Sequence, residues 1–179
     1  MEIFIKRWCL ILFFSLQVSI SLALCKAYFT PHDDLTALCV AMINAENKSI
    51  HGAMYMFTDK KVAQALINAK KRGVDVQMIL DQISMIGCGK GTLLQEQSVP
   101  VFVHRTQAFN PYTMALMHHK FFVFGCNKDN KSLLWTGSWN STLRATAHND
   151  ENVIVLDDEQ LVAQYLENFF KLQARLLAD

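Results

Sequence analysis

Residues 49–80 carry a pattern that only a few folds can accommodate. Residues 49–57 form an apolar run typical of a strand, and residues 59–72 have apolar side chains at helical spacing. Gly73 follows where that helix should end, and residues 74–80 alternate as a second strand. A strand, a helix and a strand in this order imply a parallel pair with a right-handed crossover. The pattern therefore predicts an α/β protein.

The flanking sequence extends this unit into a larger sheet. Residues 31–47 are predicted to form a first helix, with Asp33 or Asp34 as its N-cap. Further elements are predicted as a short helix near 92–97, strands at 99–104, 120–124, 133–136 and 152–156, and a final helix at 159–177. A chain of 179 residues fits one domain after an N-terminal segment. The prediction is an α/β sandwich, a mixed β-sheet flanked by helices on both faces.

The first 25 residues are typical of a targeting segment. Lys6 and Arg7 precede an uncharged apolar run over residues 8–24, which is the layout of a secretory signal peptide. The run is only slightly shorter than the roughly 20 apolar residues that span a bilayer. Residues 1–25 are therefore predicted to be a signal peptide or an N-terminal membrane anchor, with the folded domain at 26–179. Cleavage predicts a secreted or periplasmic protein, and retention a membrane-anchored one.

Charge and cysteine content exclude several classes of protein. The formal net charge is +1, and without residues 1–25 the chain keeps 15 of its 17 basic and 15 of its 16 acidic residues. Any nucleic-acid contact must then come from a local patch of cations. Cys39, Cys88 and Cys126 form no C-x-x-C pair and have no metal-ligand spacing, so neither a metal site nor a cofactor is predicted. Export would permit one disulfide among them, and isolated thiols are the stronger expectation.

His118 and Lys120 lie two residues apart at the start of the predicted strand 120–124. Side chains alternate along a strand, so these two share one face and His119 points to the other. His119 is expected to be structural or a neighbour of the substrate. Random order would supply about 0.4 such H-x-K triplets in a chain of this composition, so the pair alone proves little.

Polar residues at the ends of the next strands support a functional site at His118 and Lys120. Gly137, Ser138 and Asn140 form G-S-x-N directly after strand 133–136, and Glu151 opens the last strand. A nucleophile, a cation, a hydroxyl, an amide and a carboxylate thus occur where neighbouring strands begin or end. Sites in α/β sheets usually assemble at such positions.

The series His118-x-Lys120, Gly137-Ser138-x-Asn140 and Glu151-Asn152 resembles the phospholipase D superfamily. The resemblance is to its short, single-motif members, the Nuc-type endonucleases and their mitochondrial relatives. It extends to Phe29-Thr30-Pro31 and to residues 69–76, and so covers nearly all of the chain after the leader. Residues 26–179 are thus expected to be a phospholipase D-like catalytic domain.

The resemblance implies a metal-independent phosphodiesterase that works through a phosphohistidine on His118. It also implies a homodimer with the active site at the twofold interface, where two copies of the motif meet. Lys120 would neutralise the developing charge on the phosphate, and Ser138 and Asn140 would donate hydrogen bonds to its oxygens. Glu151 would accept the Nδ1 proton of His118 and leave Nε2 free to attack.

One position departs from the family pattern H-x-K-x4-D. Gly125 stands where the pattern has an acidic residue, and the hairpin that follows is five residues longer than in the compact relatives. Asp129 in that hairpin could approach the place of the missing carboxylate, although a solvated turn residue is the more ordinary role. The absence of this Asp weakens the expectation of activity without removing His118 and Lys120.

Three functions remain open from the sequence. The first is an endonuclease that hydrolyses DNA or RNA, which the single-motif architecture favours. The second is a phospholipase D acting on phosphatidyl headgroups or cardiolipin, which the apolar N-terminus and the balanced charge favour. The third is a non-catalytic, membrane-tethered binding protein, which the loss of the motif Asp at Gly125 favours.

Overall fold

The computed structural model describes residues 24–106, 115–127 and 130–178. Seven strands form one sheet in the order β1-β7-β6-β5-β2-β3-β4. They are β1 (Cys25–Phe29), β2 (Ser49–Met54), β3 (Asp75–Asp81), β4 (Val101–His104), β5 (Lys120–Phe124), β6 (Leu133–Gly137) and β7 (Asn152–Leu156). Most of the predicted leader and Asp129 lie outside the described residues.

The parallel unit predicted from residues 49–80 is confirmed. Strands β2 and β3 are parallel, and β4 continues the parallel pairing on the far side of β3. The other four pairs are antiparallel, so the sheet is mixed. The crossover helix begins where the Asp59 carboxylate accepts from the backbone N–H of Lys61, and Gly73 adopts a φ of +93° after the helix ends.

Within the described ranges five α-helices cover the sheet, and they lie on both of its faces as predicted. They are α1 (Leu35–Ala45), α2 (Lys60–Lys71), α3 (Gly91–Glu96), α4 (Leu143–Ala147) and α5 (Glu159–Ala178). The alternation of side chains along β5 shows the two layers. Phe122 and Phe124 enter the larger core with α1, α2 and α3, whereas Phe121 and Val123 enter a smaller core under α5.

Two short elements and one boundary differ from the sequence analysis. Helix α4 and a 3₁₀ helix at Gln82–Met85 were not predicted, because four or five residues are too few to show a helical period. Strand β1 begins at Cys25, one residue before the domain start expected at 26, and pairs with β7 at the edge of the sheet. No helix within the described ranges is long and apolar enough to cross a membrane.

Candidate active site

The five predicted site residues lie at one end of the sheet. His118 precedes β5 and Lys120 opens it, Ser138 and Asn140 follow β6, and Glu151 precedes β7. Strand β5 runs antiparallel to both β2 and β6, so its first residues lie beside the last residues of those strands. The structure therefore brings together residues that are up to 33 positions apart in the sequence.

His118 and Lys120 are in direct contact at this end. The Lys120 Nζ lies 2.9 Å from Nδ1 and 3.1 Å from Nε2 of the His118 ring, and it donates to the His118 carbonyl at 2.8 Å. Lys120 is only 9% exposed, whereas His118 is exposed. His119 points to the other face and packs edge-on to Phe121, as the strand alternation predicts.

The surroundings of His118 and Lys120 lower the pKa of both side chains. Burial lowers the pKa of Lys120, and the charge of Glu151 opposes that shift. Burial also lowers the pKa of His118, the Lys120 ammonium lowers it further, and Asp81 opposes both effects. His118 is therefore neutral at pH 7, and neutral imidazole is the form that can act as a nucleophile.

Glu151 contacts other partners than the ones expected for it. Its Oε2 accepts from the Ser138 hydroxyl at 2.5 Å, and its Oε1 accepts from the Asn149 side-chain amide at 2.9 Å. The Ser138 oxygen in turn accepts from the Asn152 N–H at 3.1 Å. In the structure, these two donors to Glu151 stand where a bond from the Nδ1 group of His118 was expected. The Ser138 proton is likewise directed at Glu151.

Asn140 is oriented by the backbone of the neighbouring strand. Its Oδ1 accepts from the Met56 N–H at 3.2 Å, just beyond the end of β2. With the oxygen occupied in this way, the Nδ2 group is the part of the amide that remains as a donor. This orientation suits the expected role of Asn140 as a donor to phosphoryl oxygens.

Tyr55 is a site residue that the sequence analysis did not single out. Its ring centroid lies 4.6 Å from that of His118, and the Lys120 Nζ lies 5.2 Å from the Tyr55 centroid. The Tyr55 N–H donates to the His119 carbonyl at 2.9 Å, which ties the two strand ends together. Tyr55 thus forms one wall against both motif side chains. Its position at the end of a predicted strand was the only signal that could have identified it.

A buried carboxylate at the end of β3 fixes the chain just before His118. Asp81 is 2% exposed, and its Oδ2 accepts from the Met117 N–H at 3.1 Å. Nearby, the fully buried Ser84 hydroxyl donates to the Tyr55 carbonyl at 2.8 Å. Hydrogen bonds from β3 and from the following turn therefore hold the backbone on both sides of the His118–Tyr55 contact.

No three His, Cys, Asp or Glu side chains within the described ranges are grouped so that they could hold a metal ion. The cysteines of the same ranges, Cys25, Cys39, Cys88 and Cys126, are free thiols. Cys39 is fully buried in α1, and burial raises the pKa of its thiol.

Gly125 lies at the opposite end of β5 from the site. It is five positions after Lys120, which corresponds to roughly 17 Å along a strand. Its N–H donates to the Ser49 carbonyl at 2.8 Å, and a Cβ at this position would lie 2.2 Å from the Ser49 Oγ. The departure from the H-x-K-x4-D pattern therefore does not alter the groups around His118.

Another carboxylate occupies the region of Gly125. Glu46 is 1% exposed and accepts hydrogen bonds from the N–H groups of Lys48, Ser49 and Cys126, at 2.7 to 3.1 Å. Cys126 directly follows Gly125. A side chain from the end of α1 thus caps this end of the sheet. Asp129, the alternative considered from the sequence, lies outside the described residues.

Comparisons with known proteins agree with this fold. The family described as cardiolipin synthase, PLD-like domain, matches residues 38–173. The chain is 32% identical over 147 residues to a phospholipase D of Rickettsia typhi, which covers 82% of this chain and 66% of that protein. It is 31% identical over 146 residues to the mitochondrial cardiolipin hydrolase of Xenopus tropicalis, covering 79% of this chain and 63% of the relative.

A solved structure extends the agreement to the architecture. Nuc from Salmonella typhimurium, a phospholipase D family member, superposes with a TM-score of 0.67 at 27% identity, covering 83% of this chain and 93% of Nuc. The chain belongs to the phospholipase D superfamily, and the predicted resemblance and fold class are confirmed. The relatives support the prediction of an enzyme of this superfamily, a phosphodiesterase. The match spans about two thirds of the length of these curated relatives.

Proposed function

We propose that this protein is a metal-independent phosphodiesterase that forms a phosphohistidine on His118 and, in its main activity, cleaves DNA or RNA. The contact between a neutral, exposed imidazole and a buried ammonium carries the proposal. The imidazole provides a nucleophile, and the Lys120 ammonium 2.9 Å away provides a charge that a phosphate would neutralise. Tyr55 and Asp81 hold both groups in place before substrate binds.

The reaction has two displacements at phosphorus. A ring nitrogen of His118 attacks the phosphate, a P–N bond forms, and the P–O bond to the leaving group breaks. A second imidazole takes up a proton when the negative charge of the phosphate lies beside it, gives that proton to the leaving oxygen, and then removes a proton from water. That water attacks the phosphohistidine, the P–N bond breaks, and His118 is regenerated. Lys120 and the Asn140 amide stabilise the charge on the phosphoryl oxygens in both steps.

One chain supplies only one H-x-K motif, so the second imidazole needs a second copy. A homodimer whose twofold axis passes between the two sites would place His118 of each chain on either side of one phosphate. The exposure of His118 and Leu116 at the end of the sheet suits such a contact. Mixing His118→Ala subunits with wild-type subunits tests it: a mixed dimer has only one of the two imidazoles and should lose the full reaction.

Nucleic acid is the preferred substrate because cations gather locally in an otherwise balanced chain. Arg105 follows β4, Arg144 lies in α4, and Arg175 lies near the end of α5, and all three are exposed. The first two follow strands that end at the catalytic edge of the sheet, and Arg175 lines a cavity that includes His118. A local patch of this kind is what a chain without net basic charge needs to bind a phosphate backbone.

A phospholipid headgroup, including that of cardiolipin, is the second candidate substrate. Large apolar side chains are exposed in the segments that follow β3 and β6 at the catalytic edge: Ile83 is 38%, Ile86 69% and Leu143 73% exposed. Apolar groups around a phosphodiesterase site would allow it to approach a bilayer surface. The relatives named phospholipase D and cardiolipin hydrolase support the same candidate.

The deciding experiment offers single-stranded RNA, duplex DNA, phosphatidylcholine and cardiolipin in parallel, with and without EDTA. Cleavage of nucleic acid that persists in EDTA and disappears with His118→Ala supports the main proposal. His32→Ala is the control, because His32 is an exposed histidine that is not among the site residues. Headgroup release without nucleic-acid cleavage would select the lipid candidate. Trapping a phosphohistidine on His118 would exclude a non-catalytic, membrane-tethered binding protein.

The N-terminal 25 residues are proposed to direct the chain into or across a membrane. Cleavage would give a secreted or periplasmic enzyme, and retention would give an enzyme attached to the membrane by that segment. N-terminal sequencing of the protein purified from cells separates the two. A start at residue 1 in a membrane fraction would exclude the cleaved form.

A further inference from the structure

A cavity of about 280 Å³ lies next to the catalytic contact and is lined by both His118 and His119. It lies between the segment before β5 and the last turns of α5, and its lining is Leu116, Met117, His118, His119, Leu172 and Arg175. His118 is thus shared between the catalytic contact and this cavity. Because a molecule of liquid water occupies about 30 Å³, the cavity has room for a phosphate and some of the group attached to it.

The polar groups of the cavity are cationic or neutral donors. The Arg175 guanidinium is exposed, and its charge is among the causes that lower the pKa of His119, after burial, Lys120 and His118. His119 is therefore neutral at pH 7 and can donate from one ring nitrogen. No carboxylate in the described residues forms an ion pair with Arg175, whereas Lys171, one turn earlier in α5, is paired with Glu167 at 2.7 Å.

We infer that this cavity binds a second phosphate group of the substrate, the one adjacent to the phosphate that His118 attacks. The inference rests on the proposed function and specifies what its substrate must contain. Arginine binds phosphate through two parallel N–H donors, and a neutral histidine adds a third donor without a second charge. Side chains of successive residues leave a strand on opposite faces, so His118 and His119 would contact two successive phosphates across one strand.

Two substrates share this chemistry. In a nucleic acid, the second group is the next phosphate of the backbone. In cardiolipin, it is the second phosphate of the same lipid. A phosphodiester with a single phosphate, such as a dinucleoside monophosphate or phosphatidylglycerol, would leave the cavity without an anion.

The test compares probes that differ by one phosphate. Thymidylyl-thymidine is measured with and without a 5′-terminal phosphate, and phosphatidylcholine vesicles are prepared with either cardiolipin or phosphatidylglycerol. In the wild type, kcat/KM should favour the two-phosphate probe of at least one pair. Arg175→Ala should reduce that preference about ten-fold through KM, the effect expected of a charge-assisted hydrogen bond. Arg175→Lys should keep part of the preference, because the charge remains.

Lys171→Ala is the matched control, since it removes an exposed cation from the same helix outside the cavity. An unchanged preference in Arg175→Ala, or an equal loss in Lys171→Ala, would overturn the inference. The pair of probes that responds identifies the source of the second phosphate. The nucleotide pair would indicate a nucleic-acid backbone, and the vesicle pair would indicate cardiolipin.

Binding to the His118→Ala protein separates this inference from the proposed function, because binding needs no turnover. In that background, the phosphorylated dinucleotide should bind more tightly than the unphosphorylated one, and the added substitution Arg175→Ala should abolish the difference. Such a result would support the cavity even if the wild-type protein cleaves nothing. Equal binding of all probes in the presence of Arg175 would reject the cavity even if the wild-type protein is an active phosphodiesterase.

Discussion

Each end of β5 has a buried charged side chain, but the two charges differ in sign and in their bonding partners. At the first end, Lys120 is buried against a neutral, exposed His118, and the carboxylates of Glu151 and Asp81 bond to other groups. At the second end, the Glu46 carboxylate is buried and accepts from three backbone N–H groups. One end holds a cation without a bonded anion, and the other holds an anion fully supplied with donors.

The two ends of the strand therefore have different roles. The His118 end carries the catalytic chemistry, and the Glu46 end belongs to the structural framework. A buried ammonium beside an imidazole is unfavourable until an anion arrives, which is what a phosphate site requires. A buried carboxylate that accepts from three backbone N–H groups is bound into the fold and stabilises the chain around it. Since Gly125 lies at the Glu46 end, the departure from the family motif should affect stability and leave turnover intact.

The largest expected effect is at the catalytic end. Lys120→Met should lower kcat/KM about a thousand-fold, because the charge that stabilises the transition state is lost. The same change should raise the pKa of the His118 ring, since the Lys120 ammonium is one of the groups that lower it. NMR titration of the ring checks the second part, and the exposed Lys61→Met is the control. A His118 pKa that stays constant or falls would contradict the electrostatic account.

The next effect is at the Glu46 end and should appear in stability. Glu46→Ala leaves the partly buried N–H groups of Lys48, Ser49 and Cys126 without this acceptor, at a cost of about 2–4 kcal/mol in the free energy of unfolding. Urea denaturation measures the loss, with the exposed Glu96→Ala as the control. The kcat of the folded fraction should equal that of the wild type. A large fall in kcat would show that the two ends are coupled.

Placing the family's acidic residue at position 125 tests whether this position acts on stability through Glu46. Gly125→Asp alone should destabilise the protein, mainly because its charge would lie near Glu46, while the Ser49 hydroxyl would have to rotate away from the new Cβ. Combined with Glu46→Gln, the new Asp can take over some of the donors. The double variant should therefore be more stable than the sum of the single changes by about 1–2 kcal/mol. Strict additivity would mean that the two carboxylates do not serve the same place.

The residues at the catalytic end of β5 can be predicted from the sequence more fully than those at the Glu46 end. His118, Lys120, Asn140 and the strand ends that bring them together follow from period-two alternation and from a short motif. The partners of Glu151 did not follow, because which donor reaches a carboxylate depends on side-chain conformations across two strands. Glu151 therefore lies in the expected region with donors other than His118, and the role of Ser138 as a donor to phosphoryl oxygens stays a prediction.

Contacts between residues far apart in the sequence are the main feature that the sequence does not predict. Nothing in the pattern around residue 46 indicates that Glu46 reaches Cys126, 80 positions later, because a Glu near the end of a helix is usually solvated. For Tyr55 the sequence pattern predicts only a place in a strand. Its contact with His118 depends on the antiparallel register of β2 and β5. Register is set by the assembled sheet and not by either strand alone.

A smaller effect on catalysis is expected at Tyr55. Tyr55→Leu should lower kcat about ten-fold, because the wall against His118 and Lys120 loses its flat ring and the imidazole gains freedom. Tyr55→Phe keeps the ring and should retain most of the activity. Steady-state kinetics on the best substrate of the panel measures both. Equal losses in the two variants would assign the role to the hydroxyl group instead.

The smallest effect contrasts His118 with a second histidine whose pKa is lowered, His51 in β2. Burial lowers the pKa of His51, Asp75 opposes the shift from 3.6 Å, and the ring packs edge-on against Phe169 and Phe170 of α5. The unfolded chain takes up a proton at about pH 6.5, before the folded protein does. Stability is therefore complete above that pH and falls as the pH drops towards the folded pKa.

His51→Leu should remove this dependence. The wild type should lose about 1 kcal/mol of unfolding free energy across that window in excess of the variant, measured by denaturation at a series of pH values. The acid limb of kcat/KM should be the same in both proteins, because it reports protonation of His118 at the catalytic end of the sheet. A shift of that limb in His51→Leu would show that the two histidines titrate together, and the separation between framework and chemistry would then fail.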